Sequence, residues 1–179
     1  MYKLKLTVLQ QEVLRFLFTY PEKSFTGRAI AKSLDVSQPG VSKALTGLKK
    51  ENYINIQKDR ESKRLTITLN RDNDLIIGLK RADNLRRLYE SGLVYFLENQ
   101  FPGATIILFG SYSRGDDTST SDIDIAVIGR KDKKADLANY ERLLQRKITM
   151  QFYSSMSSVH KALRENLCNG IVLIGGIEL

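Results

Sequence analysis

Cysteine and histidine are almost absent from this chain of 179 residues, which contains one of each, Cys168 and His160. A lone cysteine cannot form an internal disulfide, and one cysteine with one histidine cannot build a Cys/His metal cluster. No apolar run approaches the roughly 20 residues of a membrane-spanning helix. The N-terminal residues also lack the basic and apolar pattern of a signal peptide. We therefore expect a cytoplasmic protein that does not enter a membrane.

Positive charge is concentrated in the first part of the chain. Residues 1–70 hold thirteen Lys and Arg against six Asp and Glu, a net charge of +7, whereas residues 71–179 hold fifteen against fourteen, a net charge of +1. The length suffices for one domain of ordinary size or for two small ones. A basic excess confined to one part of the chain favours a polyanionic partner for that part.

The first seventy residues carry the periodicities of three helices and a hairpin. Apolar residues recur at helical spacing up to residue 51, and Thr26 and Ser37 are suited to cap the second and third helices. Two strands, 53–57 and 63–69, are predicted to flank a charged tip. This order, together with the pattern over Ala29–Leu34 and Ser37–Ile54, resembles the winged helix-turn-helix of prokaryotic transcription regulators. The resemblance implies a DNA-binding domain over residues 1–70.

In the winged helix-turn-helix, the third helix lies in the major groove of double-stranded DNA. The polar residues of that helix which lie off its apolar stripe are the candidates to face base edges: Gln38, Ser42, Lys43 and Thr46. The cations at its end and on the hairpin are candidates for phosphate contacts: Lys49, Lys50, Lys58, Arg60, Lys63 and Arg64. Helix-turn-helix proteins that bind two half-sites about 34 Å apart do so as dimers, so the resemblance also favours a homodimer. A protein-interaction module is the alternative for the same fold.

Residues 71–102 are predicted to link two domains through a long helix over residues 72–99, in which apolar residues recur at helical spacing. We expect Gly78 and Gly92 to weaken this helix without ending it. The helix is predicted to pack on the C-terminal domain, residues 103–179, and a dimer seam is the alternative role for it.

The C-terminal domain is organised around the segment Leu108–Gly129, in which an apolar strand breaks at Gly110-Ser111 and a second strand begins at Ser121-Asp122-Ile123-Asp124. Side chains two apart on a strand share a face, so Asp122 and Asp124 are expected to project together. Their mutual repulsion favours a divalent cation, and magnesium prefers such hard oxygen ligands together with phosphate oxygens.

The Gly-Ser pair, the following Gly115 and the alternating aspartates resemble the signature of the polymerase-β-like nucleotidyltransferases, and most closely that of the minimal nucleotidyltransferases. The resemblance implies that Asp122 and Asp124 are catalytic and bind magnesium. It also implies that Gly110 and Ser111 contact a nucleoside triphosphate, for which ATP is the first candidate. Arg114 is either a further triphosphate contact or a structural cation of the turn.

Active members of that family carry a third carboxylate on a neighbouring strand, and the strand predicted at residues 148–153 offers Gln151 there. An amide can offer an oxygen to the metal, but it carries no charge and cannot act as a base. Asp116 or Asp117 could take the place of the missing acid by moving into the site. The departure puts catalysis in doubt.

The fold expected for the whole chain is α+β, with an N-terminal winged helix-turn-helix, a long helix and a C-terminal nucleotidyltransferase domain with a mixed sheet. One functional hypothesis is a transcription regulator whose nucleotidyltransferase fold binds nucleotide and magnesium with weak or lost activity. A second is an active enzyme that transfers AMP to a protein or a small molecule. A third is an antitoxin-like partner of a small helical toxin, which the resemblance to minimal nucleotidyltransferases implies.

Overall fold

Three helices and a two-stranded antiparallel hairpin form the N-terminal part of the chain in a computed structural model, which describes residues 5–59 and 64–177. The elements are α1 (Val8–Thr19), α2 (Gly27–Leu34), α3 (Gln38–Lys50), β1 (Ile54–Lys58) and β2 (Leu65–Leu69). This order confirms the predicted winged helix-turn-helix. The predicted phosphate contacts Arg60 and Lys63 lie outside the described residues.

Local hydrogen bonds explain where the helices of the helix-turn-helix begin. The Thr26 hydroxyl accepts from the Ala29 amide at 3.2 Å, and the Ser37 hydroxyl accepts from the Gly40 amide at 3.3 Å. Both side chains satisfy amides that have no partner within their own helix, as predicted for N-caps. The apolar sides of the helices and the hairpin bury a common core that includes Val13, Leu17, Ile30, Val41, Leu48 and Ile67.

The long helix predicted over residues 72–99 is instead two helices, α4 (Asp74–Glu90) and α5 (Leu93–Gln100). Gly92 ends the first and precedes the second with a φ of +78°, a left-handed conformation that favours glycine over any residue with a β-carbon. The expectation that Gly92 would only weaken a continuous helix is therefore wrong. The chain divides into two compact units, Met1–Lys80 and Arg81–Leu179, so the division falls within α4.

A four-stranded mixed sheet, as predicted, forms the centre of the second unit, with the strand order β5-β4-β3-β6. Strand β4 pairs antiparallel with β3 and parallel with β5, and β3 pairs antiparallel with β6. The elements are β3 (Thr105–Phe109), α6 (Gly110–Arg114), β4 (Ile123–Ile128), α7 (Ala138–Leu144), β5 (Ile148–Tyr153), α8 (Lys161–Cys168) and β6 (Ile171–Ile174). A short 3-10 turn, Met156–Ser158, precedes α8.

The sheet separates two apolar clusters, because successive side chains of a strand point to opposite faces. One cluster joins Leu88 and Leu97 to the sheet residues Ile106, Leu108, Ile123, Ile125 and Val127. The other joins Met156, Val159 and Leu167 to Ile107, Phe109, Ala126 and Ile128. Within the described residues, no helix combines the length and the apolar character needed to cross a bilayer.

Substitution of two glycines by alanine is expected to change stability in opposite directions. Gly92→Ala should lower the free energy of unfolding by about 1 kcal/mol, because alanine disfavours a positive φ. Gly78→Ala, at an exposed position within α4 where a β-carbon meets nothing within 4 Å, should raise it by about 0.5–1 kcal/mol. Urea denaturation of both variants measures the two effects. An increase in stability for Gly92→Ala would contradict the left-handed break.

Candidate functional site

The two aspartates of the candidate site lie at the start of β4. Asp122 directly precedes the strand and is exposed, and Asp124 is its second residue and is half-buried. Ile123 and Ile125, between and after them, are fully buried in the cluster on one face of the sheet. The alternation therefore places the two carboxylates together on the face opposite to Ile123 and Ile125.

Gly110 lies against Asp124 at the end of the neighbouring strand. Phe109 pairs with Asp124 across the antiparallel strands, and Gly110 follows with a φ of +73°. A β-carbon at Gly110 would lie 3.2 Å from Cγ of Asp124 and still closer to its Oδ2 atom. Only glycine satisfies both the backbone angle and this close approach. The bend at Gly110-Ser111 is thus built directly over the carboxylate.

The electrostatic environment of Asp124 is unfavourable for its charge. Partial burial raises the pKa of Asp124, the neighbouring Asp122 carboxylate raises it further, and the Arg114 guanidinium opposes both. Arg114 is about half exposed and its Nε atom donates to Oδ2 of Asp116 at 3.2 Å. Arg114 is therefore held by the turn, and its charge opposes the rise in the pKa of Asp124.

Strand register places Thr149, and not Gln151, next to the aspartates. In the parallel pairing of β4 with β5, Asp124 lies opposite Thr149, whereas Gln151 lies opposite Ala126. The Thr149 hydroxyl donates to Oδ2 of Asp122 at 3.3 Å, and Oε1 of Gln151 accepts from the Tyr153 hydroxyl at 2.7 Å. A neutral hydroxyl thus occupies the position next to the aspartate pair. The residue of β5 at that position is Thr149, and not Gln151 as the sequence predicted.

The oxygen atoms at this place fit a magnesium ion but supply few charges for it. Asp122 and Asp124 provide two carboxylates, and the described residues contain no group of three or more His, Cys, Asp or Glu side chains suited to a metal. Magnesium is commonly held by one or two carboxylates while waters and substrate phosphates complete its octahedron. The donor set is therefore adequate for magnesium that arrives with a triphosphate.

An open cavity of about 440 Å³ adjoins the exposed aspartate of the pair. Hydroxyl, amide and charged side chains line it together with Asp122: Ser119, Thr120, Ser121, Glu141, Gln145, Arg146 and Lys147. The carboxylate of Glu141 accepts from the Ile148 amide at 3.0 Å, which ties one wall of the cavity to the start of β5. Space for a polar molecule thus exists beside the carboxylates.

A buried polar cluster that the sequence analysis missed supports the loop before β4. The Asn84 amide donates to the Tyr112 carbonyl at 2.9 Å and to Oδ1 of Asp117 at 2.7 Å. The other carboxylate oxygen of Asp117 lies 3.7 Å from the guanidinium of Arg146, and both side chains are at most 2% exposed. Asp117 is therefore held in a structural ion pair, whereas Asp116 forms an exposed pair with Arg114 in the turn.

The burial of Tyr112 shows that this cluster is inaccessible to solvent. Its side chain is fully buried, and burial raises the pKa of Tyr112 to about 12, so the phenol stays protonated at neutral pH. The polar residues of the cluster come from segments far apart in the chain, and no spacing or motif marks them in advance. Only the fold brings them together.

The polar face of α3 is exposed as the helical periodicity predicted. The candidates Gln38, Ser42, Lys43, Thr46 and Lys49 are all exposed, and the opposite face buries Val41, Ala44, Leu45 and Leu48. The Ser42 and Thr46 hydroxyls donate to carbonyls of their own helix, at 3.1 Å and 3.0 Å. These two hydroxyls are therefore oriented as acceptors toward outside groups, while the lysine and glutamine can donate.

The hairpin and α3 enclose a cavity of about 460 Å³ on the same side of the first unit. Gln38 and Ser42 line it from α3, and Arg64 and Leu65 line it from the hairpin. Arg28, near the start of α2, is a further exposed cation on its wall, which sequence reasoning did not select. Lys58 is also exposed at the end of β1. Two cations, Arg28 and Arg64, thus line a groove next to α3.

Breaking the buried ion pair is expected to cost far more stability than breaking an exposed one. Arg146→Met should lower the free energy of unfolding by about 3–5 kcal/mol, because it leaves the Asp117 carboxylate buried without its counter-charge. Adding Asp117→Asn, which keeps an acceptor for Asn84, should restore more than half of that loss. Urea denaturation measures both variants.

The matched control is Arg114→Met, which removes the exposed pair with Asp116. It should change stability by no more than about 1 kcal/mol. Equal losses for Arg146→Met and Arg114→Met would show that the buried pair is not the structural support described above.

Residues 91–171 match the family model described as "Nucleotidyltransferase domain". Among solved structures, the chain is similar to the adhesin competence repressor AdcR from Streptococcus pyogenes, with 23% identity and a TM-score of 0.43. That alignment covers 54% of this chain and 69% of AdcR. A search of the curated proteins finds no match.

Two further solved structures resemble the chain to the same degree. ZitR from Lactococcus lactis is 22% identical with a TM-score of 0.43, over 56% of this chain and 66% of ZitR. MepR, a transcription regulator of the Staphylococcus aureus multidrug efflux pump MepA, is 23% identical with a TM-score of 0.41, over 54% of this chain and 72% of MepR. The family model matches residues 91–171, and the three helices and hairpin described above have the element order of a winged helix-turn-helix fold.

Proposed function

We propose that this protein is a DNA-binding transcription regulator whose nucleotidyltransferase domain binds a nucleoside triphosphate together with magnesium. The observation that carries the proposal is the pair Asp122 and Asp124, placed beneath the Gly110 bend with one residue half-buried and one exposed. Two carboxylates with a glycine-lined approach suit a cation that bridges protein and phosphate oxygens.

The first unit supplies the support for DNA binding. Its helix α3 presents an exposed row of polar and cationic side chains, and the hairpin adds Lys58 and Arg64. The charge of +7 in residues 1–70 provides the sequence-independent attraction to phosphates on which DNA affinity depends. Two copies of the chain, as a homodimer, would read two half-sites, in keeping with the geometry of helix-turn-helix proteins.

Within the second unit, each residue near the aspartates has a distinct part in binding the nucleotide. Asp122 and Asp124 hold magnesium, which when bound neutralises triphosphate charge and polarises the phosphorus. Gly110 allows the backbone to approach the phosphates, and the Ser111 hydroxyl can donate to them. Arg114 adds a positive charge that offsets the triphosphate.

An active nucleotidyltransferase is the second candidate, and the cavity beside Asp122 is the observation that favours it. An acceptor hydroxyl bound there could attack the α-phosphorus in line, so that the bond to the pyrophosphate group breaks and pyrophosphate leaves. That acceptor must lose its proton, and Thr149, which adjoins the pair, is not a base. Nucleotide binding is therefore the better supported function, and transfer of AMP is the alternative.

DNA binding is expected to show a steep dependence on salt. Affinity for duplex DNA should fall as ionic strength rises, because phosphate contacts release counterions. Lys43→Ala and Lys49→Ala should each weaken DNA binding. A substitution that removes a phosphate contact should also reduce the slope of log affinity against log salt concentration by about 1. Mobility-shift titrations at several salt concentrations measure both. Lys161→Ala, on the exposed side of α8, is the control and should leave affinity unchanged. A flat salt response would contradict DNA binding.

Nucleotide binding is expected to stabilise the protein only when the aspartates are charged. ATP with magnesium at about 100 times its Kd should add about 2.7 kcal/mol to the free energy of unfolding. Asp122→Asn with Asp124→Asn should abolish this gain. The gain should also shrink as pH falls through the raised pKa of Asp124, since a protonated carboxyl group does not hold the cation. Unfolding monitored with and without ligand measures these effects.

The control for that experiment is Asp132→Asn, in an exposed loop, which should keep the full gain. Stabilisation by ATP that survives the double substitution would place the nucleotide elsewhere. Incubation with labelled ATP and a cell lysate separates the two candidate functions. Label transfer that is lost in the double variant would favour the active transferase over the nucleotide-binding regulator.

A further inference from the structure

Three oxygen-bearing side chains meet where β4 and β5 begin. Asp124 and Thr149 are register partners in the parallel pairing, and the Thr149 hydroxyl lies 3.3 Å from Oδ2 of Asp122. Paired residues of adjacent strands project to the same face of a sheet. Thr149 is therefore the side chain of β5 that completes the group around the aspartates.

Position 149 is the place from which a third charge would act. The remaining acids near this end of the sheet are engaged, since Asp117 is buried against Arg146 and Asp116 pairs with Arg114. Glu141 accepts from a backbone amide of β5. A neutral hydroxyl at 149 therefore adds no charge to the two carboxylates that project together, Asp122 and Asp124.

The number of carboxylates limits the number of divalent cations. Two cations about 3.5–4 Å apart repel each other strongly, and sites that hold two of them offset this repulsion with negatively charged ligands. One cation needs only one or two carboxylates when phosphates and waters complete its shell. The charge of this site matches one cation.

We propose that Thr149 makes this a site for a single divalent cation, in which its hydroxyl positions Asp122 and its neutrality excludes a second cation. This inference rests on the proposed nucleotide and magnesium binding and adds the stoichiometry of the site. It explains why a nucleotidyltransferase fold can retain a nucleoside triphosphate as a ligand. It also attributes the binding of one cation instead of two to a single side chain, that of Thr149.

Thr149 is open to substitution. It is half-buried on β5, which lies at the edge of the described sheet, so a polar side chain of similar size should be accommodated there. Thr149→Asp adds the missing carboxylate, and Thr149→Asn adds the same shape without charge. Thr149→Val removes the hydroxyl at constant shape, and Thr149→Ser retains it.

The test counts manganese ions bound to each variant in complex with an ATP analogue that cannot be cleaved between the α- and β-phosphates. Electron paramagnetic resonance of free Mn²⁺ gives the count without any reaction. Wild type and Thr149→Asn should bind one Mn²⁺ per complex, and Thr149→Asp should bind two. Thr149→Val should lower the affinity for the single Mn²⁺ by about fivefold, which is the effect of losing one hydrogen bond. Thr149→Ser should restore that affinity.

Two Mn²⁺ in wild type, or one in Thr149→Asp, would overturn the inference while nucleotide and cation binding still stood. Equal counts of two for Thr149→Asp and Thr149→Asn would also overturn it, because charge would then not control the number. Absence of both Mn²⁺ and nucleotide from wild type would refute the proposed function itself, and this inference with it.

Discussion

The close approach of Gly110 to Asp124 is the constraint on which the candidate site depends. A carboxylate directly beneath a backbone with a positive φ leaves no room for a β-carbon, so the bend and the acid have to be present together. The same contact half-buries Asp124, and burial next to Asp122 makes its charge costly. A bound cation would relieve that cost. The electrostatic cost at Asp124 therefore favours a cation as ligand.

The functions proposed for the two units depend on two different physical means of binding phosphate. The first presents cationic side chains on α3 and the hairpin, which attract phosphates directly. The second has nearly balanced charge and presents carboxylates, which require an intermediate metal ion. The buried pair of Asp117 and Arg146 belongs to neither role. It holds the loop that leads into β4, so that acids of one short segment divide between structural support and the candidate site.

Sequence patterns predicted those features that depend on local geometry. The caps Thr26 and Ser37 and the bounds of β3 and β5 are confirmed, because side-chain periodicity and hydrogen bonding within a few residues determine them. The break at Gly92 was missed, since glycine spacing alone does not reveal a left-handed φ. The register that brings Thr149 to Asp124, and the pairing of Asp117 with Arg146, depend on contacts between distant segments. No single-chain pattern encodes these.

The most direct test of the central claim is the paramagnetic broadening of backbone amide resonances by substoichiometric Mn²⁺ in the presence of ATP. Broadening falls steeply with distance from the ion, so it locates the cation without relying on catalysis. Our account predicts that the amides of Gly110, Ser111 and residues 122–124 broaden first, followed by that of Thr149, while those of α3 stay sharp. Broadening centred on any other surface, or spread evenly over both units, would contradict the account.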